Sequence, residues 1–329
     1  MTRVADPTRN FFTFWTTETD ADGRDGRTNA TRRTEGMEDA WRGCGFRIRE
    51  RARTVRLPAT EDAGDGRDGS GVTLRISMKD LTNEGGDGDG DDGDASGSES
   101  ESEAGQDPYF FEPGYTIAAT TGFCRVWEGA ATLSQYLEER DWKRVVGKRV
   151  VELGAGVGEC GLVCAALGAD VVMTDVEVVA ENVIRRNILQ NATPGEASTA
   201  RPGAWPRARL VGRGSAAHAT LDWMDPLPTK PVFVEADVII AAECVWLREL
   251  VEPFVNTVVA LLRGGVSELI LSIRDRSSTE DASSGKAFAS TGEVFRLFKS
   301  LGCAIEELYK TASEDEGKDI IIARVALDG

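Results

Sequence analysis

The residues best placed for chemistry lie in one run, Val150-Val151-Glu152-Leu153-Gly154-Ala155-Gly156-Val157-Gly158-Glu159-Cys160-Gly161. A second acid, Asp175, follows 19 residues after Gly156. Glycines in such a turn tolerate positive φ and let a ligand approach the backbone. An acid that ends the next strand of an open α/β sheet faces the ribose of an adenine nucleotide. Its carboxylate can accept from both ribose hydroxyls. Gly156, Gly158 and Gly161 literally match the dinucleotide pattern GxGxxG, a weak signal by itself. Gly154 and Ala155 intervene between the strand and Gly156, so the register suits a dinucleotide poorly. An acid at Glu152 would also repel the pyrophosphate that a helix N-terminus normally holds, and would favour a cationic ligand.

Other chemistries find less support. The six cysteines (Cys44, Cys124, Cys160, Cys164, Cys244, Cys303) form no CxxC pair, which argues against a zinc knuckle or redox pair. Six in 329 residues is sparse for a disulfide scaffold and fits a reducing compartment. The single histidine, His218, sits in GRGSAAHAT, which reads as a polar loop with an exposed histidine. No metal site is expected. A nucleophile–histidine–acid triad would have to use that one residue. No apolar run reaches the ~18 residues that a membrane span needs, and the N-terminus lacks the apolar core of a secretory signal.

Alternating elements position the turn. WEGAATLSQYLEE has a helical period; KRVVEL (148–153) reads as a buried strand and ECGLVCAAL as a helix closed by Gly168. DVVMTD is a second strand and EVVAENVIRRNILQN the next helix. A strand near 208–212, the apolar strand ADVIIAAE, the helix VEPFVNTVVALLRGG, the strand ELILSIR and the helix FASTGEVFRLFKSLG follow. Two successive strands, CAIEELYK and DIIIARVAL, close the chain. Apolar strands alternating with helices imply a doubly wound α/β fold, a mostly parallel sheet covered on both faces, with an antiparallel pair at its C-terminal edge.

The first third differs. Residues 1–80 read as an N-terminal extension, with an aromatic cluster at Phe11, Phe12, Phe14 and Trp15 that suits an anchor, and a β-hairpin near 46–79. Six arginines lie between Trp41 and Leu57, and their near alternation gives one strand a solvated basic face. Residues 81–107 hold ten acids, no Lys or Arg and three apolar residues, an acidic Gly/Ser-rich linker expected to be disordered. That segment supplies −10 of the net −17. A pI near 4.7 argues against broad nucleic-acid or anionic-membrane binding. Residues 108–329 form the remaining domain.

VWEGAATLSQYLEE, ELGAGVGECGLVCAALGADVVMTD, ENVIRRNILQN, LDW and DVIIAAECVW stand in an order and spacing that resemble the class I (seven-β-strand) S-adenosylmethionine-dependent methyltransferases. Among these the chain is most similar to the protein-lysine methyltransferases of the methyltransferase-like protein 21 group, over roughly residues 115–326. The resemblance implies a seven-stranded Rossmann-like sheet and S-adenosylmethionine as cofactor. It implies that Trp127 lies against the methionine end, with Glu152, Gly154, Ala155, Gly156 and Gly158 forming the turn beneath it. Asp175 would hold the ribose, Trp223 would border the adenine beside Asp222, and Ala242 would touch the cofactor. The family ends its fourth strand with acid-x-x-Tyr next to the accepting nitrogen. Here the motif reads Glu243-Cys244-Val245-Trp246, so Trp246 replaces the tyrosine and Glu243 would carry the polar work of catalysis.

The expected activity is methyl transfer to a lysine of a protein substrate by a monomer located in the cytoplasm, with the nucleus as a further compartment. Methylation of a small molecule or of another protein nitrogen is the alternative, as is a non-catalytic module that keeps the cofactor. Nucleic-acid adenine methylation is disfavoured, because those enzymes end the fourth strand with an NPPY-type motif.

Overall fold

The computed structural model describes residues 47–58, 71–80, 122, 125–194, 205, 207–225, 235–275, 288–314 and 318–328. The N-terminal aromatic cluster, Cys44, Cys124 and the acidic run 81–107 lie outside them. Contacts divide the chain into two units, Met1–Arg49 with Lys79–Cys124, and Glu50–Met78 with Arg125–Gly329. The second holds every element described below except the outer ends of the first two strands.

The elements in chain order are β1 (Arg47–Arg56), β2 (Gly71–Asp80), α1 (Glu128–Glu139), β3 (Arg149–Leu153), α2 (Glu159–Leu167), β4 (Asp170–Asp175) and the helix α3. Helix α3 runs through Glu177–Val179, a π turn Ala180–Ile184, and Arg185–Asn191. Then come β5 (Arg209–Val211), β6 (Gly214–Thr220), β7 (Val238–Ala242), α4 (Val251–Arg263), β8 (Glu268–Arg274), α5 (Thr291–Ser300), β9 (Cys303–Ala312) and β10 (Asp319–Leu327). Strands β1 and β2 form their own two-stranded sheet. Arg51 and Arg56 are exposed, as a solvated basic face requires, but Arg53 is only 13% exposed in its side chain and turns onto Glu138 and Glu159.

The main sheet has the order β5-β6-β4-β3-β7-β8-β10-β9. Strands β6, β4, β3, β7 and β8 are mutually parallel. Strand β10 runs antiparallel to both β8 and β9, giving the expected terminal pair. The doubly wound Rossmann-like architecture of seven strands is therefore present, and β5 adds a short antiparallel eighth beside β6. The chain winds outward from β3 in two directions, through β4 to β6 and through β7 to β8. The crevice where that direction reverses, at the carboxyl ends of β3 and β7, is where such sheets bind ligands.

Helix faces follow the burial. On α4, Phe254, Val255, Val258, Leu261 and Leu262 are buried, while Glu252, Asn256, Ala260 and Arg263 are exposed, which is the spacing of one helical face toward the sheet. Ser290 and Glu293 close a capping box at the start of α5. All nine residues of α2 are buried, Gly161 included. A Cβ at Gly161 would overlap Glu152 and Met173, so the glycine lets α2 lie directly on β3 and β4.

The segment GRGSAAHAT is a correction to the sequence reading. From Gly214 on it forms strand β6, whose residues Ser215–Thr220 pair in register with all of β4. A Cβ at Gly214 would strike the Ala169 carbonyl, and Ser215 Oγ donates to Asp170 at 2.7 Å. Close approach to its neighbours demands small side chains, and these erase the apolar signature of a strand. His218 is accordingly only 24% exposed in its side chain, and its Nε2 lies 3.3 Å from Glu181 Oε1. Burial lowers its pKa.

Candidate active site

Three strand ends build the site. Parallel register sets Leu153 of β3 beside Thr174 of β4 on one side and Ala241 of β7 on the other. Gly154 after β3, Asp175 at the end of β4 and Glu243 after β7 therefore emerge together.

Within the turn after β3, backbone geometry comes first. Gly154, Gly156 and Gly158 take φ of 63°, 55° and 81°, in the left-handed region that favours glycine. Space matters as much as dihedral at Gly154. A Cβ there would lie 2.5 Å from Cys244 Cβ and 3.1 Å from Trp223 Cζ2. The position thus brings together the turn, the LDW segment and the end of β7. The Ala155 amide donates to the Thr174 carbonyl at 3.0 Å.

Asp175 ties the turn to β4. Its Oδ2 accepts the Gly156 amide at 2.9 Å and its Oδ1 accepts the Val176 amide at 2.8 Å. Burial pushes this carboxyl up to about 6, against the pull of those two amides, and the Asp222 carboxylate raises it further. Asp222 thus lies within electrostatic reach of Asp175, while its own Oδ1 accepts the Met224 amide at 2.9 Å. Trp223 meets Phe254 edge-on, ring centroids 5.1 Å apart, so α4 fixes the indole.

Glu152 sits beneath this arrangement. It is 3% exposed, and its Oε2 accepts the Gly161 amide at 3.0 Å. Burial pushes the carboxyl up to about 8; the Gly161 bond lowers it, and the Asp175 and Glu159 carboxylates add to the rise. The sequence suggests a carboxylate facing a cationic ligand. The direct bond seen here runs instead to the protein's own helix α2.

At the other end, Glu243 follows β7 with φ 49°, left-handed for a residue that is not glycine. Such conformations cost of order 1 kcal/mol or more and persist where surroundings fix them. Here the fixing groups are visible. Glu243 Oε2 accepts the Gly129 amide at 2.6 Å, and Oε1 lies 3.1 Å from Arg274 Nε. Its side chain is 1% exposed. Arg274, last residue of β8, also reaches Glu128 at 3.1 Å and Ser313 at 2.8 Å. The acid therefore joins the end of β7 to the first turn of α1. Trp127 is the N-cap residue of that helix, and Arg125 lies over its ring, 3.9 Å from the centroid.

Trp246 is placed differently from the rest. It is 7% exposed and packs against Phe288 at a ring distance of 6.2 Å, while its carbonyl accepts the Ala289 amide at 2.9 Å. Ala242 ends β7 partly buried. Sequence reading missed Gly129, Cys244 and Arg274. Arg274 had a legible signal: it is the charge that closes the buried run Leu269–Ile273, on the strand beside the one that Glu243 follows. Cys244 is partly exposed, and burial raises its thiol pKa well above the ordinary range.

Among the described residues no group of three or more His, Cys, Asp or Glu could hold a metal ion. No helix among them is long and apolar enough to cross a membrane.

A glycine turn, a strand-end acid and an LDW aromatic are thus gathered at the switch point of a doubly wound α/β sheet. The chain belongs to the lysine methyltransferase family, whose model matches residues 118–286, just over half of it. Protein N-lysine methyltransferase METTL21A of Danio rerio is 32% identical over 158 residues, covering 47% of this chain and 62% of the relative. EEF1A lysine methyltransferase 3 of Mus musculus is 37% identical over 91 residues, 25% of this chain and 38% of that protein. The matches thus span between about two fifths and three fifths of these relatives. Among solved structures, magnesium protoporphyrin IX methyltransferase of Synechocystis with bound S-adenosylhomocysteine aligns at a TM-score of 0.42 and 16% identity, over 67% of this chain and 90% of that one.

Proposed function

We propose that the chain is an S-adenosylmethionine-dependent methyltransferase that modifies a lysine side chain of a protein. The observation that carries this is the Gly156–Asp175 pairing within a turn crowded at Gly154 by both Trp223 and Cys244. It supports our assignment of the backbone turn as the floor, of Asp175 to the ribose and of Trp223 to the border of the adenine. Family membership and the two lysine methyltransferase relatives support the acceptor.

The residues present fit the cofactor. Gly154, Ala155, Gly156 and Gly158 offer backbone without side-chain obstruction, Asp175 offers a carboxylate for the ribose, and Trp223 with Asp222 borders the base. Ala242 and Trp127 frame the methionine end. Glu152 supports the turn from below through Gly161 rather than by touching the ligand. Bound there, S-adenosylmethionine supplies an electrophilic methyl: the amine lone pair forms the N–C bond as the C–S bond breaks, leaving S-adenosylhomocysteine and releasing a proton from nitrogen.

The chain's own task is alignment, which can supply several of the ~7–11 kcal/mol available from positioning in such displacements. It must also receive the lysine neutral, against a free pKa of ~10.4, and an apolar, aromatic channel lowers that pKa by desolvation. Glu243 and Trp246 remain our assignment for the acceptor end. With its carboxylate on Gly129 and Arg274, Glu243 acts as a positioning residue that fixes α1 and Trp127 against β7. Trp246 shapes the same wall from its seat on Phe288.

The first test is ligand choice. S-adenosylhomocysteine at about 100 times its dissociation constant stabilises a specific binder by ~2.7 kcal/mol. The reading expects that shift in thermal melting, and none with NAD at equal concentration. A shift with NAD alone would replace it with a dinucleotide enzyme.

A further inference from the structure

Among the described residues the β1–β2 sheet contributes none of those assigned to the crevice, yet its bonds end on the frame of the glycine turn. Asn187 of α3 is fully buried. Its Nδ2 donates to the Val157 carbonyl at 2.8 Å and to the Ser77 carbonyl at 3.0 Å, and its Oδ1 accepts the Ser77 amide at 2.9 Å. One side chain thus grips β2 as a neighbouring strand would, and with the same amide nitrogen holds the residue between Gly156 and Gly158. Arg53 of β1 makes the second link. Its Nη1 donates to Glu159 Oε1 at 2.7 Å and its Nη2 to Glu138 Oε2 at 3.1 Å. Arg51 Nη1 lies 3.7 Å from the other oxygen of Glu159. Glu159 begins α2 directly after Gly158, and its side chain is wholly buried. The small sheet therefore reaches both sides of Gly158, through Asn187 at the Val157 carbonyl and through Arg53 at the Glu159 carboxylate.

We propose that the β1–β2 sheet is a clasp on the cofactor turn: its docking through Asn187 and the Arg53–Glu159 pair preorganises Gly154–Gly158, so clasp docking and cofactor binding strengthen one another. The proposal rests on the reading of that turn as the S-adenosylmethionine site. A turn with glycines at every second position has much backbone freedom to lose, and a ligand that must order it binds more weakly. Holding Val157 and Glu159 removes that freedom beforehand. Coupling of this kind is reciprocal, so the ligand must also tighten the clasp.

The test uses the full chain with S-adenosylhomocysteine as probe. Amide hydrogen exchange in residues 50–58 and 71–78 is followed with and without saturating ligand, and calorimetry gives Kd for the parent, Arg53→Ala, Arg53→Lys and Asn187→Ala. Ligand should slow exchange in the clasp. Arg53→Ala and Asn187→Ala should weaken binding about tenfold, a change of ~1.4 kcal/mol, and Arg53→Lys should recover most of the loss. A clasp that merely covers core residues would change melting temperature and leave both readouts still. Unchanged exchange in the parent, together with unchanged Kd in Arg53→Ala, overturns the proposal. Failure of the parent to bind S-adenosylhomocysteine overturns the cofactor reading beneath it instead.

Discussion

Glu243 at the end of β7 accepts the backbone amide of Gly129 in α1 at 2.6 Å, and a Cβ on Gly129 would lie 2.6 Å from Glu243 Cγ. The absence of a side chain at one residue is thus what admits the carboxylate of the other. The pair joins two regions 114 residues apart and orients the helix start that carries Trp127.

Removing either partner should show in stability first. Glu243→Ala leaves Arg274, 8% exposed in its side chain, without one of its carboxylate neighbours. Breaking a buried pair from one side costs about 3–5 kcal/mol. Urea unfolding should register a loss of that order, and Gly129→Ala should also destabilise. Glu243→Gln, which can still accept the Gly129 amide, should fall between the parent and Glu243→Ala. Equal stability of all four proteins would remove the positioning role.

Cofactor affinity should rise with pH across the range near 6. The Asp175 carboxyl is pushed up to about 6 by burial, and only its ionised form accepts from both ribose hydroxyls. Below that value the proton must leave before the ribose is bound. Calorimetric Kd for S-adenosylhomocysteine should therefore weaken between pH 7.5 and 5, and Asp175→Asn should bind weakly with a flat profile over that range. A parent whose affinity is constant over this interval would contradict the ribose assignment.

Stability without cofactor should move the opposite way. The folded pKa of Glu152 is raised to about 8, so the folded chain keeps a proton that the unfolded chain has lost. The stability gained from that proton is present below about pH 8 and grows as pH falls toward the unfolded value of ~4.3. Glu152→Gln still accepts from Gly161 and has no proton to lose. Relative to the parent it should gain stability on the order of 2–4 kcal/mol between pH 5 and 9. A difference that stays constant over this range would mean that Glu152 titrates normally.

Trp246 tests the wall of the acceptor end. At 7% exposure against Phe288, its truncation to alanine should cost about 3–5 kcal/mol. Trp246→Tyr should fold, bind cofactor within a few fold of the parent, and change which acceptors are methylated or how many methyls are added. Identical product patterns from both proteins would confine Trp246 to packing.

How much of this was legible in the sequence depends on which interactions carried each element. Buried parallel strands such as Val171–Met173 and Val238–Ala242 declare themselves by unbroken apolar runs, and helix stops by glycine, so most of the sheet and its terminal pair could be read. Strand β6 could not, because Gly214, Ser215, Ala216 and Ala217 are small for reasons of close packing that only the neighbours reveal. The turn and Asp175 were legible because a local pattern encodes them. Gly129 and Arg274 were not singled out, since their meaning depends on Glu243, which lies far from both in sequence. The same limit explains Glu152 and Glu243: acid type was readable, but the direction of each carboxylate, toward Gly161 and toward Gly129 with Arg274, was set by tertiary packing.

The central claim is transfer of a methyl group from S-adenosylmethionine to a protein lysine. The purified chain, incubated with methyl-labelled S-adenosylmethionine and a protein extract, followed by mass-spectrometric mapping of the label, tests it most directly. The account predicts label on the ε-nitrogen of lysine in one or a few proteins, dependent on the chain and abolished by Asp175→Ala. Label confined to small molecules or to other residue types, or no transfer despite tight cofactor binding, would contradict it.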